Sequence, residues 1–344
     1  MESSPFAMTD QEVFELFRRT GVLRMATVTP RGPLMRTMDC AVVDGTLCFH
    51  GGDRGEKLDL LEQEVVASTD ETVAHLPSWF FDERRACPAT TYYRSAVLRG
   101  RVERVEVPAE KAAILRALME RHQPEGRYQD LVAHDPLYTA VIDKLLVARF
   151  RPTSISGKAK LGQHKGPRTI AKAVAGLWQR GEPGDLAAIR AILEAHPRAL
   201  PPQWMLGPEG SVFEVSPGER ELEAAVELVR DEYWNVGVEP WRIRDAHRSS
   251  AAWVVARDAA GRVVATARAM SDDAKAAWIY DVAVSRTVRA RGVGQALMAL
   301  LLDHPRVRRA RRVVLRTRDA HGFYAKFGFG HETGRNDLLA VIRT

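Results

Sequence analysis

At 344 residues the chain exceeds what one hydrophobic core usually organises, so two domains are expected, and its 45% hydrophobic and 27% charged content excludes disordered and fibrous classes. The net charge of +6 raises a nucleic-acid partner, but the basic residues cluster: between Arg286 and Arg316 stand nine arginines against one acid, Asp303. The first three arginines flank a glycine turn suited to a small phosphate ligand, which is preferred over nucleic acid; Arg306 to Arg312 read as a solvated face.

Val22 to Val107 reads mostly as strands, with a Pro30-Arg31-Gly32-Pro33 turn and an apolar-alternating run to Val43. Asp44-Gly45 predicts a hairpin into Thr46 to His50, because both residues tolerate positive φ. A short helix, Glu56 to Glu64, precedes strands at Val65 to Val73 and Ala96 to Val107, and antiparallel strands with tight turns predict a barrel. Pro108 to His122 has helical spacing and should cover that barrel, and Leu145 to Phe150 returns as a strand. Two amphipathic helices, Thr169 to Arg180 and Asp185 to Ala195, lead to a turn-rich linker, Pro201 to Gly210. Beyond it a strand, Val212 to Val215, and a helix, Glu219 to Tyr233, are followed by strands Ala252 to Ala256, Val263 to Met270 and Trp278 to Val284. A helix at Gly294 to Leu302, a strand at Arg312 to Thr317 and a helix at Gly322 to Phe327 complete the chain.

No stretch reaches bilayer-spanning length, and Met1 to Pro5 lacks a basic segment followed by an apolar run, so a cytoplasmic protein with no membrane partner is expected. Cys40, Cys48 and Cys87 form no CxxC pair and read as structural thiols in a reducing compartment, with no metal site.

The most informative run is Asp281 to Leu297, a strand feeding a glycine turn and then a helix. Such a turn aims successive N–H groups at one point beside the positive end of a helix, which suits a pyrophosphate. A P-loop would need Lys followed by Ser or Thr, and a dinucleotide fingerprint would want a third small residue where Leu297 stands. Arg289-x-x-Gly292-x-Gly294 resembles the acetyl-CoA signature of the GNAT acetyltransferases, and Ala320-x-x-x-Tyr324-x-x-x-Gly328-Phe329 resembles that family's terminal motif. The likeness spans Phe213 to Thr344 and implies an α+β fold with a mixed central sheet and an unidentified small-molecule amine as acceptor. It also implies pyrophosphate contacts at Arg289, Arg291, Gly292, Val293, Gly294 and Gln295, with Ala296 at the helix start. Pantetheine would lie along Val282, Ala283 and Val284. The resemblance places the general acid at Tyr324, a phenol whose ordinary pKa of about 10, above a thiol's, keeps it protonated at neutral pH and available to the departing CoA thiolate. Asp281 is the nearest carboxylate to deprotonate the amine, unless strand alternation turns it away and ordered water serves. Trp234, Trp241 and Arg268 fall on the acceptor side, one of the two tryptophans being expected in the core.

From Gly21 to Lys165 three runs, Gly32 to Thr37, Phe49 to Leu58 and Tyr93 to Val97, with the tail Ser156 to Gln163, resemble the FMN-binding split barrels of the pyridoxamine 5′-phosphate oxidase superfamily. The resemblance implies FMN and a homodimer through the barrel. Lys57 at a helix start after Gly51 would meet the phosphate, Arg94 and Ser95 completing the pocket, with Arg36 and Thr37 near the isoalloxazine edge. His50 either contacts the flavin or ends a strand; Arg36 and Arg94 alternatively form surface ion pairs. The expected organisation is therefore a split-barrel domain at 1–165, a helical connector and linker at 166–211, and an acetyltransferase domain at 212–344. The expected protein is bifunctional. A single-activity acetyltransferase with the barrel as dimerisation or ligand-sensing module is the alternative, and so is a flavin-responsive regulator, against which stands the lack of a basic helix-turn-helix.

Overall fold

A capping box opens the first helix: Glu12 N donates to Thr9 Oγ1 and Thr9 N donates to the Glu12 carboxylate at 2.7 Å. It starts α1 (Asp10–Thr20), which Gly21 terminates at φ 65° and whose Val13, Leu16 and Phe17 are fully buried. The strand pattern expected from Val22 onward contains no counterpart of this helix. The computed structural model describes residues 4–199, 201–215, 217–332 and 335–342. It divides the chain into two units, one of 1–75 with 89–164 and one of 76–88 with 165–344.

In the first unit α1 is followed by β1 (Val22–Thr29), β2 (Gly32–Asp39), β3 (Ala41–Val43), β4 (Thr46–Gly51), β5 (Glu64–Leu76), β6 (Thr90–Arg104), α2 (Pro108–His122), α3 (Thr139–Lys144) and β7 (Leu146–Lys160). The sheet order is β2-β1-β5-β6-β7-β4-β3, an antiparallel half-barrel of the split-barrel type. The hairpin expected at Asp44-Gly45 is present, with φ of 46° and 70°. The strand expected to stop at Phe150 instead runs to Lys160, paired with β6 from Arg104↔Ala148 to Tyr93↔Lys160. The core joins Leu16, Phe17, Met25, Phe49, Leu98 and Phe150, each worth roughly 1.5–3 kcal/mol of burial. A side chain at Gly157 would collide with Val13, so the glycine lets α1 lie on β7. As expected, α2 covers the sheet, packing Ala112, Ile114 and Leu118 against Cys48 and Val147.

In the second unit stand α4 (Pro167–Arg180), α5 (Asp185–Ala195), β8 (Val212–Glu214), α6 (Glu219–Val229), α7 (Pro240–Arg248), β9 (Ala252–Arg257), β10 (Val263–Ser271), β11 (Ala276–Val284), α8 (Val293–Asp303), β12 (Arg312–Arg316), α9 (His321–Ala325), β13 (Gly330–Glu332) and β14 (Arg335–Ile342). The mixed sheet has the order β13-β14-β12-β11-β10-β9-β8, with β11 and β12 parallel. On β10 Val264 to Ala267 are buried without a break, because both sheet faces are covered, α6 and α8 both packing on it. The stretch expected as connector and linker packs around the end of α8. Trp178 Nε1 donates to Asp303 at 3.0 Å, and Trp204 stacks on Trp178 at 4.3 Å between ring centroids. Two arginines expected on a solvated face are tied in: Arg308 donates to the carbonyls of Trp178 and Gln179, and Arg306 pairs with Asp273 at 2.8 Å. Phe80, on the excursion between β5 and β6, lies against Gly176 and under the Arg180 guanidinium.

Candidate functional site

β11 and β12 pair only from Ala276↔Arg312 to Trp278↔Val314, so the edge of β11 facing β12 is open from Ile279 to Val284. On its other edge Ala283 pairs with Thr266 and Val284 with Ala265, but the register shifts between Thr266 and Arg268. This bulge holds Asp281 at φ 49°, a left-handed conformation unusual for a non-glycine residue in a strand. Val282 is half-buried and Ala283 buried, so the open edge presents backbone more than side chains.

Beyond the strand Ala290 (φ 62°) and Gly292 (φ 86°) turn the chain into α8. Gly292 is the N-cap and has no side chain to cap with, so the first-turn N–H groups of Val293, Gly294 and Gln295 stay open, with Ala296 N donating to Gly292 O. Gly294 must be small: a Cβ there would sit 3.1 Å from Val284 Cγ2 and 3.8 Å from Phe323. Arg289 Nε donates to Val284 O at 3.0 Å and its guanidinium faces Glu232 at 3.6 Å, while Arg291 pairs with Glu209 at 3.2 Å. Both arginines therefore flank the turn on surface pairs that an anion could replace.

Phe323, whose ring approaches Gly294, is followed on α9 by Tyr324. Tyr324 is buried, its ring against Phe323 and Phe329, and burial pushes its phenol up to about 12. His321 starts the helix that carries it and stacks on His331 at 5.2 Å, as a surface histidine would. Asp281 is turned toward Arg268, whose Nε donates to Asp281 Oδ2 at 2.6 Å. The core tryptophan expected of Trp234 and Trp241 is neither: Trp241 is exposed beneath Arg242, and Trp234 lies at the surface edge-on to Tyr233. Tyr233 went unnoticed in the sequence, although its hydroxyl accepts from Arg318 N at 3.3 Å and its ring underlies the Arg318 guanidinium at 4.2 Å.

In the first unit Gly51 and Lys57 meet, the Lys57 Cε lying 2.8 Å from where a Cβ on Gly51 would be, and Lys57 Nζ donates to Arg54 O. Arg36 joins this corner through an ion pair with Glu56; Thr37, one position on, is exposed, and His50 is exposed at the end of β4 opposite Val147. The helix expected over Glu56 to Glu64 is a five-residue 3-10 turn, Glu56–Leu60, too short to supply a helix macrodipole. Arg94 and Ser95 stand elsewhere, opposite Ala159 and Lys158, with Arg94 paired to Glu71 at 2.9 Å. Leu61, just past Lys57, bridges Val102, eight residues along β6 from Arg94, or about 26 Å of strand. One chain thus does not bring Lys57 and Arg94 to a common phosphate. No helix among the described residues is long and apolar enough to cross a membrane.

Residues 9–159 match the family model for pyridoxamine 5'-phosphate oxidase, and residues 219–329 match that of the acetyltransferase (GNAT) family. No curated protein matches the chain. Among solved structures, a conserved hypothetical protein from Mycobacterium tuberculosis is 18% identical over 46% of this chain and 90% of its own, with a TM-score of 0.36. The FAD binding protein from Mycobacterium smegmatis is 18% identical over 44% of this chain and 95% of its own, with a TM-score of 0.30. A GNAT-family acetyltransferase candidate from Xanthomonas campestris pv. campestris is 31% identical over 35% of this chain and 86% of its own, with a TM-score of 0.33.

Proposed function

We propose that this chain transfers an acetyl group from acetyl-CoA to a small-molecule amine and binds a flavin, FMN, in its barrel, because residues 9–159 match the pyridoxamine 5'-phosphate oxidase model and residues 219–329 the GNAT model. The observation that carries the transferase reading is the open first turn of α8 beside an open strand edge, with Tyr324 on the helix whose Phe323 approaches Gly294. The pyrophosphate takes the N–H groups of Gly292 to Gln295, with Arg289 and Arg291 released from their surface pairs onto it, and pantetheine pairs with Val282 to Val284. The amine nitrogen forms its bond to the thioester carbon as the C–S bond breaks, the thiolate takes the Tyr324 proton, and the ammonium proton leaves to water or a carboxylate. Asp281, already engaged by Arg268, holds the bulge that exposes the backbone. Thiol release from acetyl-CoA, followed across a panel of polyamines, amino sugars and arylamines, tests the reading; release no faster than hydrolysis with every amine overturns it.

The corner made by Arg36, Gly51 and Lys57 suits one end of an FMN phosphate, while Arg94 lies about 26 Å of strand from Val102, the β6 residue that Leu61 bridges. That separation favours a flavin held between two copies, Lys57 of one and Arg94 of the other, and with it a homodimer. The flavin when bound supplies hydride chemistry, and this chain's residues hold its phosphate and set its orientation. Lys57→Glu should lose FMN while retaining acetyl-CoA binding. Equal flavin fluorescence released from mutant and wild-type protein removes Lys57 from the site, and no FMN in reconstituted wild-type protein removes the flavin reading.

A further inference from the structure

The second unit has another opening, at the far end of its helices from the Arg289–Gln295 turn. α6 begins beside it at Glu219 and runs toward Glu232, the partner of Arg289; α8 begins at the turn and ends at Asp303, which His304 follows into the opening. Each helix has eleven residues, or about 16 Å, which separates the two places. The cleft has a volume of about 300 Å³ and is lined by Leu186, Val215, Leu222, His247, Trp253 and His304.

Its two imidazoles are buried, His247 at 1% and His304 at 0% exposure, and each leaves Nε2 without a hydrogen-bond partner. Their tautomers are opposite. His247 Nδ1 lies 2.8 Å from Ile243 O, which only accepts, so Nδ1 carries the proton and Nε2 presents a lone pair. His304 Nδ1 accepts from Arg306 N at 3.2 Å, so Nε2 carries the proton. The Val215 carbonyl acts on that ring as a hydrogen-bond acceptor and raises it, but Nε2 does not reach full hydrogen-bond geometry with any partner. Burial keeps both rings neutral, lowering His247 and bringing His304 down to about 4.

The remaining wall restricts what enters. Trp253 spends its Nε1 on Thr266 Oγ1 at 3.0 Å and so offers ring surface, while Leu186, Val215 and Leu222 are apolar. Arg248 and Glu219 already pair with each other at 2.7 Å, leaving a charged ligand no free counter-charge among these groups.

We propose that this cleft is a second binding site, for a small uncharged planar ligand of the carboxamide or lactam class, which donates a hydrogen bond to His247 Nε2 and accepts one from His304 Nε2–H. A buried donor and a buried acceptor, each without a hydrogen-bond partner and both in the wall of one cleft, are the complement of such a group. The site is independent of acetyl-CoA and of the transferase reading.

The test is a titration of the full chain, labelled with 15N-histidine, with benzamide, benzoate and toluene, side-chain nitrogen resonances reporting. Benzamide should shift both Nε2 signals saturably and bind about tenfold or more tighter than toluene or benzoate. His247→Leu should weaken benzamide by a similar factor while acetyl-CoA titrates as in wild type, and His247→Gln should recover part of the loss. Saturable benzamide binding that moves neither imidazole, equal affinity for benzamide and toluene, or no saturable shift, as water alone would give, each overturns the proposal. The ligand series on the wild-type chain decides the matter should neither variant fold.

Discussion

Arg268 and Asp281 form a buried ion pair across the β11 bulge, Nε donating to Oδ2 at 2.6 Å between side chains 12% and 6% exposed. The pair faces Asp281 away from the open strand edge and stabilises its left-handed backbone. Arg268→Met strands a buried carboxylate, and that should destabilise the second unit by about 3–5 kcal/mol, whereas Arg268→Met with Asp281→Asn should cost clearly less. All seven tryptophans lie in this unit, so their fluorescence in urea reports it alone. Equal losses in the single and double variants would show that the two side chains are not coupled.

Tyr324→Phe should lower kcat by about 10²–10⁴ and leave acetyl-CoA affinity near wild type, since the hydroxyl acts on the departing thiolate rather than on the bound thioester. Burial holds the phenol protonated up to about 12, so the acid is in its working form across the physiological range and contributes no alkaline limb there. A wild-type kcat in Tyr324→Phe moves the acid elsewhere, and Tyr233, whose hydroxyl already takes the Arg318 N–H, is the next group to test.

The parts of the fold that sequence made legible are those specified locally. Asp44-Gly45 marks its hairpin because both turn residues need positive φ, and Asp185 to Ala195 marks α5 by the spacing of Ala188, Ile189 and Ile192. The turn at Arg289 to Gly294 is legible for the same reason. The second half of β7 is not, because Pro152 to Lys160 carries mostly polar residues and is a strand only by pairing with β6, more than fifty residues earlier. The helix α1 carries a readable signal, Thr9 three residues before Glu12 and an apolar spacing of Val13, Leu16 and Phe17, ahead of the strand pattern that starts at Val22. The candidate sites divide likewise: Gly292 and Tyr324 announce themselves in short motifs, but the Arg268–Asp281 pair forms across a bulge. The distance between Lys57 and Arg94 follows from strand register, which spacing in sequence does not encode.

Gly292→Asp should abolish most acetyl-CoA binding and cost some stability. At φ 86° any side chain is strained, Asp less than most, and the new Cβ would lie 3.2 Å from Pro208 Cγ. Its carboxylate then sits at the open N–H groups where the pyrophosphate is proposed to bind, and affinity should fall by about two orders of magnitude. Calorimetric titration under conditions where tryptophan fluorescence shows the variant to be folded checks this. Unchanged affinity would move the pyrophosphate away from α8.

His304 makes the second unit sensitive to acid. Its ring is fully buried at the end of α8, edge-on to Trp178 at 5.7 Å, and burial lowers it from 6.5 to about 4. Between those values the unfolded chain binds a proton at this position that the folded chain does not, so stability rises with pH across the window. The contribution is complete above about pH 6.5 and is lost as pH falls toward 4, amounting to about 3 kcal/mol in order of magnitude over the whole span. Lowering of the His247 ring by burial acts with the same sign. Urea unfolding followed by tryptophan fluorescence should therefore show a falling midpoint from pH 7 to pH 5. In His304→Gln, which fills similar space and does not titrate, the fall should be shallower by the share of this one ring. An identical pH slope in wild type and His304→Gln would mean that the histidine is solvated in solution and that the acid sensitivity arises elsewhere.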